Sequence, residues 1–434
     1  MSADAMQYAQ DEYAATGRRV MPAGGLGNFP ADVMIRQGRA GRVWDESGRE
    51  YVDFLLGSGP MLVGHAHPEV TEAVLAQVPL GTTFFANNRH ALLLAEAIVG
   101  AVPCAEQVRF VSSGTEADAY AMRLARAFRK RDKVLKFEGG YHGMSDTALM
   151  SLAPKRLGNF PQAVPDSPGI PRSVQGDVLV APFNDLAMVT SLIREHRDEL
   201  AGVIVEPFQR IVPPAPGFLE GLRAVTAAEG VPLIFDEVVT GFRLAYGGAQ
   251  EYYGVVPDIC TLGKVIGGGF PLAAIAGRAD IMAHFDRALV GDEGFLTQVG
   301  TLSGNPVASV AGLATLAILR RPGAYTQLFE TGRMLMAELQ RVLYHAGFTA
   351  QVIGEPPLFD VVFTDAPPRD YRGTLRGDIE LLRQFNRLLR ARGILKGESK
   401  YYISLAHTAD DVRHTIDAWS AAADELAAWQ RTRG

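Results

Sequence analysis

Between Val231 and Gly269 the chain carries two short apolar runs, each ending on an ionisable residue. The first, Pro232 to Phe235, ends in Asp236. The second ends in a lone lysine, Lys264, set between Gly263 and a glycine triplet. Continuous apolar runs this short suggest strands buried on both faces, as in a parallel sheet. An acid at the carboxyl end of such a strand points into the crevice where open α/β sheets bind ligands. A lysine in an apolar, Gly-rich loop is placed for a depressed pKa and Schiff-base chemistry. Each half has a plainer reading. Asp236 and Glu237 also fit a helix N-cap with its first-turn acid, and Lys264 also fits a surface lysine.

From Val108 onward the pattern is strand, Gly-bearing loop, helix, repeated. It predicts strands at Val108–Val111, Val134–Phe137, Val178–Ala181, Val203–Val205, Leu233–Phe235 and Ala273–Ala276, with helices at Thr115–Phe128, Ala187–Arg197 and Leu219–Ala228. This alternation predicts an α/β chain with a mostly parallel sheet covered by helices. Residues 1–20 read as a short helix and Arg42–Asp53 as a β-hairpin turning at Glu46-Ser47-Gly48. Ala66 onward and Ala308–Leu319 have helical spacing. The last hundred residues mix strand-like runs (Leu358–Phe363, Tyr401–Leu405) with helices near 376–391 and 409–428, which suggests a separate α+β lobe. Pro-rich patches at 165–171 and 366–368 read as loops.

The 434 residues allow two to three domains, or one large and one small. A formal charge of -6 gives no basic footprint for nucleic acid. The N-terminus lacks a basic and then an apolar region, so no signal peptide is expected, and no run approaches a membrane span. Cys104 and Cys260 lie far apart without CxxC spacing and fit reduced, buried thiols in a cytoplasm. His65 and His67 have no cysteine or carboxylate cluster beside them, so a loop role is expected and no metal site.

Ser112-Ser113-Gly114-Thr115-Glu116-Ala117 follows a strand and opens a helix. Small residues let backbone approach a phosphate, and the helix N-terminus supplies N–H groups. The same residues fit a plain cap at Ser113 or Thr115. No P-loop or dinucleotide fingerprint is present: Gly263-Lys264 is followed by Val265, and Gly25-Leu26-Gly27 by Asn28, Phe29 and Pro30. Glycines around Tyr141-His142 leave a ring open for stacking on a flat ligand, or make a turn with a half-buried tyrosine. Val238 could pack the ligand's opposite face. Glu206 ends a neighbouring strand. Gly300–Pro306 is a further small-residue loop before a helix. Lys264 for an aldehyde and Asp236 for a pyridinium nitrogen are together what pyridoxal 5'-phosphate (PLP) requires.

The order S-S-G-T-E-A, G-Y-H-G, V-E-P, D-E-V, L-G-K-x-I-G-G-G and G-T-L-S-G-N-P resembles the class III PLP-dependent aminotransferases of fold type I. Within them it is similar to the glutamate-1-semialdehyde aminomutase branch, through Pro214–Arg223, Gly247–Gly254, Gly64–Pro68 and Ser404–Thr408. The resemblance covers roughly residues 20–420. It implies a large doubly wound domain (64–322) and a smaller α+β domain made from both chain ends (1–63 and 323–434). It implies that Lys264 holds PLP, Asp236 pairs with the pyridine nitrogen, and Tyr141 and Val238 sandwich the ring beside His142. Ser113, Gly114 and Thr115 would take the phosphate, and Glu206 would sit near the ring and the lysine. Thr301 would reach the phosphate of a neighbouring subunit's cofactor, in a homodimer with shared active sites.

Substrate-pocket positions leave the aminomutase pattern. The N-terminal serine and arginine are replaced in Gly24–Ala31, the usual tryptophan before Gly59-Pro60 is Ser58, and a C-terminal glutamate falls on Ser399. The Phe84–His90 loop departs as well. A site built for one polar substrate loses strongly when its buried partners change. The expected activity is therefore a ping-pong transamination between an amine or amino acid, β-amino acids included, and a keto acid or carbonyl acceptor. The alternative is an intramolecular aminomutase. A lyase or racemase on the same scaffold is a third reading. Arg89, Arg210, Arg243, Lys396 and Lys400 are cationic candidates for a substrate carboxylate, or ordinary surface and salt-bridge residues.

Overall fold

A computed structural model describes residues 3–432, and the side chains from residue 10 onward. The N-terminal segment opens with the helix Ala3–Val20 and carries strands β1 (Ile35–Arg39), β2 (Arg42–Asp45) and β3 (Glu50–Asp53). The central segment carries β4 (Gln107–Val111), β5 (Lys133–Phe137), β6 (Val178–Ala181), β7 (Leu200–Val205), β8 (Leu233–Glu237), β9 (Ile259–Leu262) and β10 (Ala273–Gly277). The C-terminal segment adds β11 (Gln351–Glu355), β12 (Leu358–Val362), β13 (Ile394–Leu395) and β14 (Tyr401–Tyr402).

These segments form two compact units. The larger comprises Glu69–Tyr325 and Pro367–Arg376, so residues 367–376, read above as part of the C-terminal lobe, group with the larger unit. Its seven-stranded sheet runs β4-β10-β9-β8-β7-β5-β6. The pairs β6·β5, β5·β7, β7·β8 and β8·β9 are parallel, and β10 is antiparallel to both β9 and β4. The helix Gly114–Arg129 lays Ala117, Ala121, Met122 and Ala125 against Ile204, Ile234 and Ile259 of one face. Residues of opposite parity face the other way. There Phe137 of β5 meets Phe183 at 5.9 Å and Phe218 of the helix Phe218–Ala228 at 5.7 Å, both edge to face. Helices on both faces explain why the strands read as unbroken apolar runs rather than alternating ones.

The smaller unit comprises Met1–Pro68, Thr326–Ala366 and Gly377–Gly434. It holds a four-stranded sheet β1-β2-β3-β13 and a three-stranded sheet β11-β12-β14. The predicted hairpin is present as β2 and β3, with Val43 opposite Tyr51. Elements with no counterpart in the sequence reading include β1, β11, β13, the helix Arg89–Val99 and the helix Ala324–His345. The expected strand Tyr401–Leu405 is shorter. Only Tyr401 and Tyr402 pair, because the chain turns at Ser404, whose hydroxyl donates to Leu62 O at 3.0 Å.

Candidate active site

The carboxyl ends of β8 and β9 deliver the two ionisable residues. Parallel register sets Asp236 opposite Thr261, so the acid lies level with a residue three before Lys264. Asp236 is buried. Its Oδ1 accepts from the Val238 N–H at 3.1 Å, and its Oδ2 lies 2.8 Å from His142 Nδ1. The other ring nitrogen, His142 Nε2, is buried and has no hydrogen-bond partner among the described residues. Half-buried Lys264 follows an extended Gly263 and opens a short 3₁₀ turn at φ 47. The turn is pressed against the helix Pro306–Leu319: a Cβ on Gly268 would meet Ala311 O, and one on Gly312 would meet Ile266 O. Only glycine permits that approach.

Three motifs meet at Val238. A Cβ built on Gly114 would stand 3.1 Å from Val238 Cγ1, and one on Gly263 would stand 3.2 Å from it. The small-residue turn, the acidic strand end and the lysine loop therefore converge.

Ser113 caps the helix Gly114–Arg129. Its hydroxyl accepts from the Glu116 N–H at 3.2 Å, and the Glu116 carboxylate accepts from the N–H groups of Ser112 and Ser113 at 2.7 and 2.9 Å. The plain capping reading of this motif is thus realised. Helix geometry leaves the Gly114 and Thr115 N–H groups without intrahelical acceptors, at the positive end of the dipole. Gly143 closes over this turn: a Cβ there would stand 2.5 Å from Thr115 Cα, and the Met144 N–H donates to Thr115 Oγ1 at 3.3 Å.

Glu206, at the end of β7, accepts from the Tyr141 N–H at 2.9 Å, which anchors the Tyr141-His142 loop. Burial pushes the Tyr141 phenol up, while the Arg210 guanidinium, 5.5 Å from its ring centroid, pulls it down. Thr301 stands apart. It is exposed in the turn before the helix Pro306–Leu319, a turn pinned by Asn88 Nδ2 donating to Gly304 O at 2.7 Å.

The cationic candidates separate. Lys396 is buried and donates to Asp360 Oδ2 at 2.9 Å and to Asn386 Oδ1 at 3.0 Å, so it is a structural salt-bridge partner. Arg89 is exposed and Arg243 fully buried. Arg210, beside Tyr141, is the candidate next to the converging motifs. His65 lies 2.7 Å from Asp53 Oδ2, an intra-unit contact that gives it a loop-holding role. Cys104 and Cys260 are buried and free.

Two residues of this site were not found from the sequence. Asp118, inside the helix Gly114–Arg129, reads as one more acid on a helix. Thr261, in β9, reads as part of an apolar run. No local pattern marks either.

The arrangement fits PLP. It offers an anchored, buried carboxylate, a lysine on an adjacent strand end, a glycine-floored helix N-terminus for a phosphate and a buried imidazole nitrogen lacking a partner. The comparisons agree. An omega-transaminase from Sphaerobacter thermophilus is 36% identical, with 97% of this chain and 98% of that one covered and a TM-score of 0.91. A beta-phenylalanine aminotransferase from Variovorax paradoxus is 31% identical, over 96% of each chain, with a TM-score of 0.84. A glutamate-1-semialdehyde aminomutase from Pseudomonas aeruginosa PAO1 is 25% identical, over 98% of this chain and 96% of that one, with a TM-score of 0.86. The sequence model named Aminotransferase class-III matches residues 26–403. On that match and the site it covers, the chain belongs to the class III aminotransferases, enzymes that use PLP.

Proposed function

We propose that the protein carries amino groups between separate molecules, from an amine or amino acid with an apolar or bulky side to a keto acid or carbonyl acceptor, by a ping-pong mechanism. One observation carries the assignment of roles: Asp236 and Lys264 leave the carboxyl ends of adjacent, in-register strands, and Val238 packs the turn between them. Bound PLP supplies an electrophilic aldehyde and an electron-withdrawing ring. Lys264 Nζ would hold the cofactor by its aldehyde, and as a free amine it would be the base and acid that moves the proton at the donor's amine-bearing carbon. Asp236, held by the Val238 N–H and His142, would keep the ring nitrogen protonated. Tyr141 and Val238 would flank the ring, and Glu206 fixes the Tyr141 loop. The Gly114 and Thr115 N–H groups and the Thr115 hydroxyl take the phosphate, with Ser113 holding the turn in shape.

The similarity to an omega-transaminase and a beta-phenylalanine aminotransferase supports an amine or β-amino acid donor. Arg210 is the group we assign to a substrate carboxylate. We further propose a homodimer in which Thr301 reaches the partner's cofactor phosphate. Apolar side chains lie bare on the same unit: Leu80 is 72% exposed, Phe85 69% and Val299 68%. Beside Thr301 itself, Leu302 is also exposed, and contiguous apolar surface marks association sites. No helix among the described residues is long and apolar enough to cross a membrane, and the free thiols fit a reducing cytoplasm.

The test is a crossover experiment. A ¹⁵N-labelled β-amino acid or arylalkylamine is mixed with an unlabelled keto acid, and the label is expected in the acceptor's product. Label retained within one molecule, with glutamate-1-semialdehyde the preferred substrate, establishes the aminomutase reading instead.

A further inference from the structure

Behind the carboxylate assigned to the ring nitrogen lies a second buried carboxyl. Asp118 projects from the helix Gly114–Arg129, and one carboxylate oxygen each of Asp118 and Asp236 and one ring nitrogen of His142 all lie within 4.8 Å of one another. All three side chains are buried. The Thr261 hydroxyl donates to Asp118 Oδ1 at 2.6 Å and stands 3.5 Å from Asp236 Oδ1. Two carboxylates this close in a dry interior do not both ionise, so one keeps a proton.

The partners decide which. Asp236 is met by two polar groups, the Val238 N–H at 3.1 Å and His142 Nδ1 at 2.8 Å. Asp118 has one hydroxyl donor among its described contacts. Burial first, and then Asp236, push the Asp118 carboxyl well above the usual carboxylate range. Lys264 opposes this, His142 stands in the same cluster, and Lys136 and Tyr141 also feel Asp118. With Oδ1 occupied by Thr261, the second oxygen is left to carry the proton.

We propose that Asp118 is a positioning residue that stays protonated and donates a hydrogen bond to Asp236, so that the cofactor's nitrogen end is met by a carboxylic acid–carboxylate pair flanked by His142. The proposal rests on the reading that Asp236 takes the ring nitrogen. The extra donor disperses the Asp236 charge and fixes its orientation. An asparagine amide at 118 can do the same, and an alanine cannot.

The test uses apoenzyme of wild type, Asp118→Asn, Asp118→Ala and Asp236→Asn. Infrared difference spectra at neutral pH are expected to show a protonated carboxyl in wild type that Asp118→Asn lacks. In PLP rebinding titrations Asp118→Ala is expected to lose about tenfold or more in affinity, as removal of a donor to a charged group does, while Asp118→Asn stays within about threefold. The proposal is overturned if the two infrared spectra are the same, or if Asp118→Ala rebinds PLP like wild type while Asp236→Asn does not. It is also overturned if wild-type apoenzyme holds a stoichiometric divalent cation that Asp118→Asn loses. Should Asp118→Ala fail to fold, the infrared comparison decides, since it needs only the isosteric variant. Unchanged PLP affinity in Asp236→Asn, with the carboxyl band present, overturns the ring-nitrogen reading and leaves the acid pair standing, so the two failures are distinguishable.

Discussion

Lys264 sits at φ 47, in the left-handed region that side chains other than glycine rarely occupy. Such strain persists where surrounding structure over-determines it, and it clusters at functional sites. Two substitutions separate strain from chemistry. Lys264→Ala and Lys264→Gly are both expected to lose turnover and the visible absorption of bound PLP. Of the two apoenzymes, the glycine variant should be more stable by about 1 kcal/mol, read from urea midpoints, because only it relaxes the backbone. Asp236→Asn keeps the shape and removes the charge. Turnover is expected to fall about 10²-fold or more, as when other preorganised electrostatic groups are removed. Near-normal turnover would make Asp236 structural. The next residue gives a pH prediction. Burial pushes the Glu237 carboxyl from 4.5 up to about 7, against hydrogen bonds from Ala249, Gln250 and Thr240. The folded protein therefore binds a proton that the unfolded chain releases, so this contribution is complete below pH 4.5 and is lost as pH rises toward 7. Glu237→Gln should flatten the fall in stability across that window by on the order of 2 kcal/mol. Chemical denaturation at several pH values measures it, and parallel curves for the two proteins would refute the assignment.

Among the elements, the helix Gly114–Arg129 and the turn after Lys264 hold the site to its shape. Gly268 has φ 57, and a Cβ there would meet Ala311 O. Gly268→Ala is expected to destabilise the protein by about 2–3 kcal/mol, since the strain and the clash fall on backbone that cannot move aside. A thermal midpoint equal to wild type would show that the helix Pro306–Leu319 can withdraw. What the sequence revealed follows from the physics of each element. Buried parallel strands betray themselves as unbroken apolar runs, and the helix after Ser113 announces itself through its capping box. Strand direction left no trace: Ala273–Gly277 reads the same whether parallel or antiparallel. The helix Arg89–Val99 was missed although Asn88, accepting from the Ala91 N–H at 3.0 Å, is an ordinary N-cap signal. At the site, residues in contiguous motifs were legible, whereas Asp118 and Thr261 gain meaning only when the sheet brings them beside Asp236.

For the whole molecule, the exposed Val299 and Leu302 beside Thr301 go with an expectation of association. Sedimentation under assay conditions is expected to show a dimer, and a fully active monomer would remove both the dimer and the role given to Thr301. The antiparallel strand β10 has a consequence for the newborn chain. β4 lies at the edge of the sheet, and β10 is its one neighbour there, pairing Ala273 with Val111 and, on its other side, Ala274 with Leu262. The turn that follows β4 has no place on the sheet until a strand synthesised much later arrives to receive it. Pairings this distant in sequence form slowly. A ribosome-bound chain halted before Ala273 therefore exposes the Ser113 turn and the Asp236 strand end without aligning them, and tight capture of PLP is expected only once translation has passed β10.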